Sequence, residues 1–95
     1  MLEDIIYERI IRDRKESPDS DTPEVLTLTR ETNGYAIWYS SYELGKVCIT
    51  LNHYWSRNTA IEEAVQIGME LIKSQLLKKT EDTVYNIRKQ YITTV

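Results

Sequence analysis

Between Glu24 and His53 apolar residues recur at every second position, in three runs punctuated by two glycines. No other feature narrows the possible folds as much. Val25-Leu26-Thr27-Leu28-Thr29-Arg30 and Tyr35-Ala36-Ile37-Trp38-Tyr39 are rich in β-branched and aromatic residues and alternate with the period of a half-buried strand. Asn33-Gly34 between them suits a two-residue type I′ loop, in which both positions need positive φ. Such a loop sets Thr32 opposite Tyr35, Arg30 opposite Ile37, Leu28 opposite Tyr39 and Leu26 opposite Ser41. Glu43-Leu44-Gly45 suits a three-residue loop ending in a left-handed residue, leading into a third strand from Lys46 to His53. Ser41 then faces Val47, Tyr39 faces Ile49 and Ile37 faces Leu51. Leu26, Leu28, Ile37, Val47, Ile49 and Leu51 then fall on one face, whereas a loop longer by one residue would turn the third strand over.

The flanks read as helical. Leu2, Ile5, Ile6 and Ile10 form a stripe flanked by Tyr7 and Ile11 and opposed by Arg9, Arg12 and Arg14, which predicts an amphipathic N-terminal helix. The same residues also alternate well enough for a short strand from Ile5 to Ile11. Residues 16–23 carry Ser, Asp and two prolines without an apolar residue, and are read as a loop. Thr59-Ala60-Ile61-Glu62 has the form of a capping box, followed by Ile61, Ala64, Val65, Gly68, Leu71, Ile72 and Leu76 at helical spacing. Gly68 in mid-helix implies close approach of this helix to the sheet, over a tyrosine. Thr80-Glu81-Asp82 suits a second start, with Val84, Ile87 and Tyr91 as the buried stripe, although one unbroken helix from Thr59 to Ile92 competes. The expectation is an α+β chain of order α-β-β-β-α-α, one domain over residues 1–95 with a three-stranded meander and helices mainly on one side.

The reverse face of that meander displays Thr27, Thr29, Glu31, Ala36, Trp38, Ser40, Cys48, Thr50 and Asn52. A solvated sheet face usually carries Lys, Glu and Arg, so short side chains around a tryptophan invite docking. The N-terminal helix lays its isoleucines over Trp38, or Trp38, Thr29, Ser40, Thr50 and Asn52 form a surface for a protein partner or a second copy, or the face takes a ligand or nucleic acid. Asn52 to Asn58 (Asn-His-Tyr-Trp-Ser-Arg-Asn) is read as a strand-to-helix connection whose Tyr54 and Trp55 close the end of the core. Glu62 and Glu63, read as first-turn residues, would oppose an anion there.

Composition removes several chemistries. One Cys and one His among 95 residues supply neither an internal disulfide nor a structural zinc site. Five residues apart on one strand, Cys48 and His53 would stand on opposite faces roughly 16 Å apart. Asp19-Ser20-Asp21 begins like a calcium loop but lacks its later ligands and central glycine. No glycine-rich phosphate loop is present, so neither metal nor cofactor is expected and catalysis is not. A net charge of −3, an acidic N-terminus and no long apolar run point to a soluble cytoplasmic protein.

Helix-strand-strand-strand-helix is also the order of the double-stranded-RNA-binding domain, but Thr59-Ala60-Ile61-Glu62-Glu63 stands where that family has a Lys-rich helix start. Asn33-Gly34-Tyr35, with Asn58-Thr59-Ala60-Ile61-Glu62-Glu63-Ala64 downstream, resembles the Gly-Tyr and Thr-x-x-Glu-Ala pattern of HicB-type antitoxins over about half of the chain. No recognisable DNA-binding helix-turn-helix follows the sheet, so the toxin-neutralising and repressor roles of that family attach to no residue here. The function expected is non-catalytic association with another protein or with itself, as a homodimer or other homo-oligomer, through the Trp38 face or the C-terminal helix. The concrete type is a regulator, inhibitor or antitoxin-like accessory protein. The alternative is nucleic-acid binding through Arg9, Arg12, Arg14, Lys15 and Arg57.

Overall fold

The alternation between Glu24 and His53 becomes three antiparallel strands, and a fourth strand joins them from a segment expected to be helical. The computed structural model describes residues 4–12, 23–76 and 80–93. Within them the order is β1 (Asp4–Arg12), β2 (Glu24–Glu31), β3 (Gly34–Ser41), β4 (Gly45–Asn52), α1 (Arg57–Leu76) and α2 (Thr80–Thr93). The sheet is antiparallel with strand order β1-β2-β3-β4, so the fold is α+β with four strands followed by two helices. The expected N-terminal helix is therefore wrong, and with it the likeness in order to the double-stranded-RNA-binding domain. The physical reason is twofold: β2 offers an unpaired edge of N–H and C=O groups, and the doublets Ile5-Ile6 and Ile10-Ile11 are β-branched residues that suit a strand. Except for Pro23, the loop read at 16–23 lies outside the described residues.

The expected faces survive in β2 and β3, but the β2–β3 register, and the β3–β4 register as far as Ile49, are displaced by two residues. Leu26 pairs with Tyr39, Leu28 with Ile37 and Thr27 with Trp38, closing on Thr32-Asn33 as the turn, while Gly34 opens β3. Gly34 is required there for closeness: a Cβ would run into the Asn52 carbonyl and stand 2.9 Å from Cα of His53. The next ladder closes on Ser41 and Gly45 around Tyr42-Glu43-Leu44. Gly45 takes the left-handed conformation expected of it, at φ 68°.

Three β-bulges then shape the sheet. The pairing skips Ile6 and Ile11 in β1 and Ile49 in β4. Ile11 and Ile49 are buried in the core, and Ile6 packs against it. A bulge points two consecutive residues to one side and bends its strand. Beyond Ile49 the faces of β4 exchange: Thr50 pairs with Ile37 and Leu51 with Ala36, the reverse of the expected arrangement.

Both helices cover the face bearing Leu26, Leu28, Ile37, Tyr39 and Ile49, contributing Ala60, Ala64, Ile67 and Leu71 from α1 and Val84 and Ile87 from α2. Helix α1 begins earlier than the capping box implied. Ser56 is its N-cap, its Oγ accepting the Thr59 amide at 3.2 Å and its carbonyl accepting that of Ala60 at 2.9 Å. Glu62 and Glu63 accordingly fall outside the first turn. Gly68 does mark a close approach, but over Leu26 and the aliphatic stem of Arg9 rather than a tyrosine, with a hypothetical Cβ at 3.4 Å and 3.7 Å from them. Two separate helices, not one, occupy the C-terminal third.

Carboxylates fasten the helices. Glu24 accepts hydrogen bonds from the Tyr39 hydroxyl and, at 2.6 Å, from Gln75 of α1, with Arg12 at 3.9 Å. Tyr91 of α2 donates to Glu63 of α1 at 2.8 Å and meets Trp55 edge-on at 5.8 Å. Burial, then the adjacent carboxylate, pushes both phenols above the ordinary tyrosine range. Among the described residues no helix is long and apolar enough to cross a membrane.

Two predictions follow from this packing. Gly45→Ala lowers the unfolding free energy by about 1 kcal/mol through backbone conformation alone, since a Cβ there meets nothing within 4 Å. Gly68→Ala instead raises it by about 0.5–1 kcal/mol, because the added methyl fits and helix propensity improves. Chemical denaturation of the two variants reads both signs, and like signs would contradict the packing described. The tyrosines set an alkaline limit: above pH of about 10 the unfolded chain loses phenolic protons that folded Tyr39 and Tyr91 retain, so stability falls as pH rises. The urea midpoint should drop beyond that pH and drop less in Tyr39→Phe, and an identical slope in the two proteins would refute the linkage.

Candidate interaction surface

The face of the sheet away from the helices is organised in three cross-strand rows. Ile5, Thr29, Ala36 and Leu51 form the first, Glu8, Thr27, Trp38 and Cys48 the second, and Ile10, Val25, Ser40 and Lys46 the third. Both helices pack on the opposite face, and the N-terminal segment that was expected to cover Trp38 instead extends this one by a strand. Ile5, Ile10 and Leu51 remain 49%, 53% and 49% exposed, so three of its aliphatic side chains stand half in solvent. Lone exposed hydrophobics are ordinary, whereas these three share one face of the sheet with a tryptophan.

Trp38 is held in position by contacts within the sheet. Its Nε1 donates to Thr29 Oγ1 at 2.9 Å, and that hydroxyl donates to Glu31 at 2.7 Å. Trp38 pairs across the ladder with Thr27, so the bond to Thr29 leans the indole along the sheet over the first row. This explains why Thr29 and Ala36 are only 1% exposed on a face that no helix covers. Lys46 Nζ sits 4.6 Å from the ring centroid, a cation–π contact from the neighbouring strand. The hydrogen bond and the cation–π contact together restrict the rotamers open to the indole.

Of the residues expected on this surface, Trp38, Thr29 and Ser40 are there. Thr50 and Asn52 are not, because the Ile49 bulge turns them toward the helix side opposite Ile37 and Tyr35. Leu51 takes their place, and Ile5, Ile10, Val25 and Lys46 complete the surface. The isoleucine doublets of β1 were the only sequence signal for two of these.

Among the described residues, Arg9, Arg12 and Arg57 do not converge on one site. Arg9 rests its stem beneath Gly68 on the helix side, and Arg12 stands beside Glu24, whose other partner Gln75 lies near the end of α1. Arg57 opens α1, roughly 27 Å along the helix axis from Gln75. Arg14 and Lys15 lie outside the described residues.

The connection from β4 to α1 is a structural joint. Asn52 Oδ1 accepts the Tyr54 amide at 2.9 Å, and His53 Nδ1 donates to the Asn33 carbonyl at 2.5 Å, tying the end of β4 to the β2–β3 turn. Trp55 packs against the core as expected, whereas Tyr54 projects into solvent. No group of three or more His, Cys, Asp and Glu side chains among the described residues is placed to hold a metal ion. The carboxylates of a partial calcium loop, Asp19 and Asp21, lie outside those residues.

Cys48 borders Trp38, and burial raises its thiol above the usual range against the opposing charge of Arg88. A raised thiol has less thiolate at a given pH, so alkylation of Cys48 near pH 8 should be slower than in the urea-unfolded chain. Equal rates would show the thiol to be unprotected.

No protein-family model matches the chain, and neither a curated protein nor a solved structure does.

Proposed function

We propose that this chain is a non-catalytic protein-binding element, of the regulator, inhibitor or antitoxin-like accessory kind, and that its contact surface is the helix-free face of the sheet. The observation that carries this reading is the half-exposure of Ile5, Ile10 and Leu51 around an indole already fixed by Thr29 and Lys46. Buried aromatic anchors ringed by modest contacts are the usual energetic centre of protein interfaces. The face is a better candidate than the sheet edges, since both edge strands, β1 and β4, carry bulges that interrupt the ladder a docking strand would need. Nucleic-acid binding remains the weaker proposal: Arg9, Arg12 and Arg57 are spread over the helix side and its far end, so among the described residues no concentrated phosphate-binding surface supports it.

A photo-activatable phenylalanine analogue placed at Ile10 should capture a discrete protein adduct in cells, while the same group at exposed Glu70 on α1 should not. Trp38→Ala should weaken that association by about 30-fold, the loss typical of a hot-spot aromatic. Because Trp38 also shields Thr29 and Ala36, Ile10→Lys, which uncovers no buried group, is the companion variant. Absence of any adduct at Ile10, or equal adducts at both positions, would refute the surface.

A further inference from the structure

We draw no further inference here: the strongest candidate, the helix-free face of the sheet with Ile5, Ile10 and Leu51 around Trp38, is the surface already described, and nothing in the structure shows what covers it.

Discussion

Packing of both helices against one side of the sheet is the constraint from which the rest of the molecule follows. Leu26, Leu28, Ile37 and Tyr39 must all lie under the helices, and in an antiparallel sheet that fixes which side every other residue of β2 and β3 faces. The edge strands cannot meet the demand by alternation alone. Each solves it with a bulge that diverts an isoleucine inward: Ile6 and Ile11 in β1, Ile49 in β4. The same irregularities bend the edges and interrupt the ladders through which another strand would dock. One packing requirement thus closes the edges and leaves the outer face as the surface that remains.

The helices are held by polar contacts at the margin of the core as well as by apolar packing within it. Glu24 links β2, β3 and α1 through Tyr39 and Gln75, and Glu63 links α1 to α2 through Tyr91. Each carboxylate accepts from a phenol in a partly desolvated setting, where a hydrogen bond is stronger than in water and an unmet one costs more. No buried side-chain nitrogen or oxygen among the described residues lacks a partner. A sheet braced in this way presents its outer face as a stiff platform, and the chain from Trp38 through Thr29 to Glu31 extends the same economy to the indole itself.

How much of this was legible depended on whether the determining contact was local. The alternation of β2 and β3, the left-handed glycine at 45, the helical stripe of α2 and the break between the helices are short-range patterns, and each is present. The Trp38 face was readable for the same reason, since the parity of β2 and β3 survives a displacement of two residues. Gly34 was read as a turn residue because Asn-Gly is a strong hairpin signal, yet its role is set by the backbone of Asn52 and His53, eighteen and nineteen residues away. Ser56 displaced Thr59 as the cap because the helix start is decided by where β4 ends. The isoleucines of residues 4–12 carry helical and strand periodicities at once, and only the vacant edge of β2 selects between them.

By itself, then, the sequence determined that one face of the chain's strands would be oily and the other built around a tryptophan among small hydroxylic side chains, because a period of two leaves no choice of side within a strand. Only the tertiary structure decided where that period breaks. A bulge arises when a partner strand and a helix compete to place the same residue, so Leu51 faces outward and Thr50 and Asn52 inward for reasons that no stretch of β4 contains. The outer surface of the sheet is the joint product of the two.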